Sequence, residues 1–527
     1  MEANYPKYVL YGLLIVGSWL LSCVLHFQVF HLSLFPYVYP SYLLLSHRVV
    51  LPTALDASFL PPPPEDGRRE DGGIKRRRSS SMLAKPKAKT EDSCEGRYVY
   101  MLEIPRKFQM LTECVEGSPA FEDPYNPCVV MSNSGLARDE LIATSNPWHW
   151  LKCRYNTDQY ALEVIFHNRM RHYDCLTTDA ATATAIYVPF YPAIELNRHK
   201  CGSSATERNN PSKQFLRWLT SQPTWQPHGG RDHFMVAART TWMFRRDEAG
   251  GDALGCGNAF LSGADAANLT ALVYESNIWS RRDFAVPYPS YFHPSSSSSV
   301  SDWQSAARSS PRPFLFAFAG ARRANGTLAI RDHIIDECAT SPPPTARRKC
   351  GMLDCSHGLE GSITCRSPRR LMALFASARF CLQPPGDSFM RRSSIDTVLA
   401  GCIPVFFHEA STFEKQYRWH ERDNGDNGDR RRYSVVIDPD DVVEGRVRIE
   451  EVLRRFSDEE VIAMREEVIR MIPRFVYKDP RVRFDGEMRD AFDITFDEVM
   501  ARMRRIKNGE ILGWKLDGDD DVVAKDS

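Results

Sequence analysis

The chain has 527 residues, of which 43% are hydrophobic and 25% charged, and its formal net charge is zero. That length has room for roughly three average domains, and the composition is that of a globular protein with a packed core. A neutral balance argues against a dedicated nucleic-acid binder, whose binding domain is strongly basic. The 14 cysteines are too few for a small disulfide scaffold, so the redox compartment must be read from other segments.

In chain order, residues 1–7 form a short tail containing Lys7. The stretch YVLYGLLIVGSWLLSCVLHFQVF (8–30) then runs without an acid, Lys or Arg. It is long enough to cross a bilayer and longer than the apolar core of a cleaved leader. It therefore reads as a transmembrane signal anchor. Lys7 precedes it and no Lys or Arg follows until Arg48, which favours a cytosolic N-terminus. Residues 31–95 read as a stem. Within it PPPPEDGRREDGGIKRRRSSSMLAKPKAKTEDS (61–93) cannot bury enough apolar surface to offset its ordering entropy.

From residue 96 short apolar runs alternate with amphipathic stretches. RYVYMLEI (97–104), ATAIYVPFY (183–191), HFMVAA (233–238) and LTALVYES (269–276) are predicted strands. DQYALEVIFHNRMRHY (158–173) and SKQFLRWLTSQ (212–222) are predicted helices between them. SSSSSVSDWQSAARSSPRP (295–313) reads as a serine- and proline-rich break. A second alternating block follows with FLFAFAGA, SPRRLMALFASA, FCLQPP, RRSSIDTVLAG, IPVFF and YSVVID. Strand–helix alternation predicts an α/β protein with parallel sheets. The expected architecture is two Rossmann-like domains, 96–300 and 301–505, facing a cleft, and then an acidic tail at 506–527. In such folds ligands bind beyond the carboxyl ends of the strands.

The stretch FCLQPPGDSFMRRSSIDTVLAGCIPVFF (380–407) places two arginines where a helix opens, although helix N-termini ordinarily attract acids. An anion bound there accounts for them. Gly386 allows close backbone approach and Ser388 can cap the helix or donate to an oxygen. Arg391 and Arg392 can grip a diphosphate, and Asp396 can reach a ribose hydroxyl. A plain cap with an Arg–Asp ion pair on a solvated face is the competing reading. FLFAFAGARRANGTLAIRDHIID (314–336) repeats the theme, with Gly320 ending a strand and Arg331 opening a helix. In HGGRDHFMVAARTTWMFRR (228–246), Asp232 and His233 are candidate general bases, and Glu275 is a third. Trp242, Trp279, Tyr417 and Trp419 are candidates for stacking on sugar rings, or for the core. Asn268 and Asn325 open N-glycosylation sequons that fit a luminal domain. Cys338, Cys350, Cys355 and Cys365 suit disulfides better than zinc because they lack a C-x-x-C pair. Cys381 and Cys402 read as buried free thiols.

The motifs YVYMLEIPRKF, IYVPFYP, GRDHFMVAARTTWMFRR, DFAVPYPSYFHP, FLFAFAGARR, AIRDHIIDEC, FCLQPPGDSFMRRSSIDTVLAGCIPVFFHE, YRWH and MIPRFVYKDP follow in order over about residues 95–500. With them the chain resembles a plant exostosin-like glycosyltransferase of family 47, in its xyloglucan galactosyltransferase branch. The resemblance implies a GT-B fold and a type II Golgi membrane protein with a luminal catalytic region. It implies inverting transfer from a UDP-sugar, UDP-galactose by branch, to xylose side chains of xyloglucan in the cell wall. Complexes with other Golgi glycosyltransferases are a further expectation. No cofactor is expected, and metal ligands none, so Asp438-Pro439-Asp440 is read as loop. The donor set is then Gly320, Arg331, Gly386, Asp387, Ser388, Arg391, Arg392 and Asp396. The sequence departs from the family in GGDALGCGNAF (250–260), which lacks a tryptophan before Gly-Asn, and in the polar insertion ERDNGDNGDRRR (421–432). A pentosyl- or uronosyltransferase on xyloglucan, xylan or pectin, or an inactive scaffold of a synthase complex, are the alternative readings.

Overall fold

A computed structural model describes residues 94–510, except 110–113, 115–126, 138–154, 200, 247–255, 278–282, 324–328, 341–348, 357–360, 362–363, 366 and 422–431. The expected anchor, most of the stem, Trp279, Asn325 and residues 511–527 of the acidic tail lie outside the described residues.

Eleven strands build two parallel sheets among the described residues. The first holds β1 (Val99–Met101), β2 (Leu176–Thr177), β3 (Ala185–Tyr187), β4 (His233–Val236), β5 (Thr270–Val273) and β6 (Asp283–Ala285), in the order β2-β1-β3-β4-β5-β6. The second holds β7 (Phe314–Gly320), β8 (Cys350–Asp354), β9 (Ala378–Gln383), β10 (Ile403–Phe406) and β11 (Val435–Val436), in the order β11-β10-β9-β7-β8. Both are doubly wound: the first strand of each set is flanked by its second on one side and its third on the other. The order therefore reverses between β1 and β3 and between β7 and β9, where such sheets open a ligand crevice at their carboxyl ends.

Strands covered on both faces read as unbroken apolar runs, and FLFAF, FCLQ and IPVF do so. Alternation sends Phe316, Phe318, Phe380 and Leu382 into one core cluster, and Ala317, Ala319 and Cys381 into the other. The larger cluster continues from the first sheet to this inner face of the second.

Among the helices, α1 (Leu162–Arg171), α2 (Ala205–Thr220), α3 (Ser297–Ser309), α4 (Ile330–Ala339), α5 (Pro368–Ala376), α6 (Arg392–Leu399), α7 (Asp458–Met471) and α8 (Ala491–Lys507) position the site. The expected serine-rich break is largely helix α3. Ser296 caps it by accepting the Ser299 N–H, and Val300, Trp303 and Ala307 are buried at helical spacing. Trp303 donates its indole N–H to the Leu399 carbonyl at 2.8 Å. Serine is tolerated on the remaining faces because they meet water, so composition alone mistakes this helix for a linker.

The last helix, α8, returns to the first sheet. Phe492 packs on Phe166 at 4.5 Å between ring centres, and Arg169 pairs with Asp490 at 2.7 Å and Asp493 at 2.9 Å. Asp490 also caps α8 in a reciprocal box with Asp493. Residues 491–507, assigned from sequence mostly to the second domain, thus complete the first one. Arg312 binds the carbonyls of Ala307, Phe375, Ala378 and Ala400, tying together the ends of α3, α5 and α6.

The disulfides of the described residues include Cys114–Cys128, Cys201–Cys256, Cys338–Cys350, Cys355–Cys365 and Cys381–Cys402. The last corrects the expectation of buried free thiols. Cys381 lies in β9 and Cys402 immediately precedes β10, and these parallel neighbours bring the two cysteines together although each sits in an apolar run.

Candidate functional site

The crevice between β7 and β9 is built from two loops and two helix starts. After β9, the Pro384–Pro385–Gly386 turn leads to Asp387, Ser388 and Arg391, the last residue before α6. The Gly386 N–H donates to the Ser388 carbonyl at 2.9 Å. After β7, residues 321–323 lead toward α4, whose second residue is Arg331. Arg331 is 5% exposed and donates from Nε to the Pro385 carbonyl at 3.0 Å. Arg391 donates from Nη2 to the Ala319 carbonyl at 3.3 Å, and its Nη1 is buried with no hydrogen-bond partner among the described residues.

These guanidinium groups crowd one another. Burial and then the neighbouring Arg331 lower Arg391 to about 9, while burial and Arg323 lower Arg331 to about 10. Asp387 is the carboxylate that offsets them. Three cations beside a helix N-terminus, offset by the exposed Asp387, form a concentrated positive site that an anion relieves. A Cβ built on Gly386 would stand 2.9 Å from Arg331 Nη2 and 3.8 Å from Arg391 Cδ. The glycine thus lets the loop lie directly against both side chains.

The two adjacent arginines part company. Arg392 turns to the first domain, its guanidinium 3.9 Å from the centre of the Tyr291 ring. Asp396 follows it: this buried carboxylate accepts the Ser290 hydroxyl, and burial raises its pKa. The structure therefore groups Arg391 with Arg331 and Gly386, and places Arg392 and Asp396 against the Ser290–Tyr291 segment instead. Ser388 does not cap α6 and donates its hydroxyl to the Met390 carbonyl at 3.1 Å. Gly320 ends β7, where a Cβ would strike the Phe318 ring at 2.5 Å. Arg322 faces outward in an ion pair with Asp336 at 2.6 Å.

Opposite the arginines stands Glu275, two residues beyond β5. It is 4% exposed, and its Oε2 accepts the Met390 N–H at 2.5 Å. Ser388 and the Phe389 N–H also face this carboxylate, yet burial outweighs them and pushes it up to about 7.

Asp232 and His233 are elsewhere. They stand at the amino end of β4, hydrogen-bonded to each other at 2.9 Å, with Lys507 of α8 3.6 Å from Asp232. Thr240 is the residue that bridges to Glu275. His233 opens β4 and Thr240 lies four residues past its end, so the strand, about 10 Å long at strand rise, stands between them. Sequence proximity to a Gly-Gly turn could not reveal which end of the strand the pair occupies.

Of the aromatic candidates, Tyr417 is fully buried and donates to the Tyr274 carbonyl at 3.0 Å, and Trp419 stacks on Phe284 at 4.8 Å. Trp242 lies beneath Arg246. Asn268 donates from Nδ2 to the Gly229 carbonyl at 3.0 Å. Asp438 accepts the Asp440 N–H and caps a short helix.

Sequence reasoning missed Glu163 and Arg239. Glu163 is fully buried in α1 and accepts the N–H groups of Ala193, Ile194 and Ala238, gathering the segments after β3 and β4. Burial pushes it up to about 8 against those donors and Arg239. An acid inside the apolar helix pattern LEVIF was the available signal. Arg239 stands 4.4 Å from the centre of the Tyr160 ring.

Two doubly wound parallel sheets with an arginine-lined crevice on one and a carboxylate reaching it from the other fit a GT-B-like glycosyltransferase. The chain belongs to the exostosin GT47 family, whose domain model matches residues 93–453. It is 39% identical over 428 residues to the xyloglucan galactosyltransferase MUR3 of Arabidopsis thaliana, covering 80% of this chain and 65% of that one. It is 38% identical to the probable xyloglucan galactosyltransferase GT15 of the same plant, covering 80% of this chain and 86% of that one. It is also 34% identical to the Arabidopsis xyloglucan-specific galacturonosyltransferase 1, covering 79% of this chain and 59% of that one.

Proposed function

We propose that the protein is a Golgi type II membrane enzyme that moves galactose from UDP-galactose to xylose side chains of xyloglucan. One observation carries the reading of the site: the Arg323, Arg331 and Arg391 cluster lies at the sheet reversal, and Glu275 reaches the same loop from the other domain. The printed names of the relatives supply the sugar and the acceptor.

In this mechanism the acceptor hydroxyl attacks the anomeric carbon as the bond to the β-phosphate oxygen breaks. Glu275 takes the acceptor's proton; a base whose pKa lies near 7 is matched to that task. The arginines stabilise the charge that gathers on the departing diphosphate, and such fixed donors act most strongly on charge that develops in the transition state. They supply the cationic role without a metal. Asp232 and His233, at the opposite end of β4, take the role of anchoring α8.

The test is a screen of UDP-sugars against xyloglucan oligosaccharides, with products resolved by mass and linkage. Galactosyl transfer to xylose supports the proposal; absence of galactosyl product overturns it. The galacturonosyltransferase relative favours a second reading, UDP-galacturonate as donor, which the same screen distinguishes by product charge.

A further inference from the structure

Tyr288 lies three residues past β6, beside the strand end that carries Glu275. Its surroundings are fixed on both sides. The ring stacks on Tyr274 with centres 4.0 Å apart and planes at 23°. The preceding carbonyl, of Pro287, accepts the Tyr477 hydroxyl at 2.7 Å. Tyr288 itself is only 6% exposed. A buried phenol ordinarily finds a hydrogen-bond partner. Among the described residues the Tyr288 hydroxyl has none, and it is not among the sealed polar atoms.

Glu275, Tyr160, Arg239 and Arg391 are near enough to act on this hydroxyl electrostatically. Arg239 is held in place by the Tyr160 ring and by Asn197, to which its Nη2 donates. Glu275 stands where the acceptor is deprotonated and Arg391 where the diphosphate is held. The group that spans the gap between those two positions is the sugar being transferred.

We propose that Tyr288 contacts the transferred sugar, its hydroxyl pairing with a sugar hydroxyl and helping to set which donor is accepted. This deepens the glycosyltransferase reading and rests on it. A site built to hydrogen-bond a substrate hydroxyl discriminates strongly against analogues that lack it, because the protein group is then left unpaired.

The experiment uses the full-length protein with UDP-galactose, UDP-galacturonate, UDP-xylose and singly deoxygenated UDP-galactoses, with a xyloglucan oligosaccharide as acceptor. Tyr288→Phe removes the hydroxyl and keeps the stacked ring. Its kcat/KM for the preferred donor is expected to fall at least tenfold. The preference among donors narrows, while UDP affinity by calorimetry changes less than twofold. One deoxygenated donor should be at least tenfold poorer than its parent with the wild type and equal to it with Tyr288→Phe. An unchanged preference among donors in Tyr288→Phe overturns the proposal, whether its activity is retained or falls equally for all. Should the variant fail to fold, the deoxygenated series decides with the wild type alone: no tenfold loss at any position overturns it. Wild-type protein that transfers none of the sugars overturns the glycosyltransferase reading and this inference with it. Wild-type transfer with an unchanged preference in the variant overturns this inference alone.

Discussion

Glu275 Oε2 accepts the Met390 N–H at 2.5 Å, a hydrogen bond that runs from the end of one parallel sheet to the loop carrying Arg391 on the other. The same contact places a buried carboxylate beside the loop that carries Arg391 and couples the two halves there.

Glu275→Gln keeps the shape and the acceptor oxygen for Met390 but cannot take a proton. Transfer should fall by about a hundredfold or more with UDP binding retained, measured by kcat and by calorimetry. Because burial raises this carboxyl from 4.5 to about 7, the anion proposed as the base is withheld below that pH. Wild-type kcat/KM should therefore climb as pH rises through about 7. The sign for stability is opposite: the folded state holds a proton that the unfolded chain releases, so this group's contribution falls as pH rises from about 4.5 to 7. Glu275→Gln should remove that slope in melting experiments.

Arg391→Ala and Arg392→Ala should behave differently although the residues are adjacent. Removing Arg391 leaves the fold and lowers transfer by about a hundredfold or more, as for loss of a donor to developing charge. Removing Arg392 deletes the contact with Tyr291 and should cost stability, about 1–2 kcal/mol, seen as a lower Tm. Equal UDP affinity in both variants would contradict this division.

Gly386→Ala tests close approach. The added methyl meets Arg331 Nη2 at 2.9 Å, so the guanidinium must shift while the backbone, whose φ is not in the left-handed region, stays unstrained. UDP affinity should drop several-fold with Tm nearly unchanged; calorimetry and melting together check it.

Asp232→Asn weakens the link to Lys507 of α8 and leaves the crevice untouched. Tm should fall while kcat stays within about twofold. A loss of kcat comparable to that of Glu275→Gln would return Asp232 to the role of base.

Cys381→Ala with Cys402→Ala should lower stability by about 2–5 kcal/mol, measured by denaturant unfolding, because the pair tethers β9 to the start of β10.

Much of this was legible in the linear chain, for reasons of local physics. Apolar runs bounded by Gly and Pro marked β7, β9 and β10, because a strand covered on both faces must be apolar throughout. The arginines at a helix start marked a crowded cationic cluster, because the unpaired N–H groups there already carry positive charge. The ordered motifs pointed to family 47. Other features depended on which chain segments meet. The sequence presents Arg391 and Arg392 as a pair, and only packing against Tyr291 separates them. It presents Asp232 ahead of Glu275 as the candidate base, and only the strand direction puts Glu275 at the crevice and Asp232 at the far edge. Cys381 and Cys402 look like core thiols until parallel pairing sets them face to face. Local pattern determines what each segment can be, since it reflects backbone hydrogen bonding and burial within a few residues. Tertiary structure decides which charges become neighbours, since that distance depends on sheet order and strand polarity across hundreds of residues.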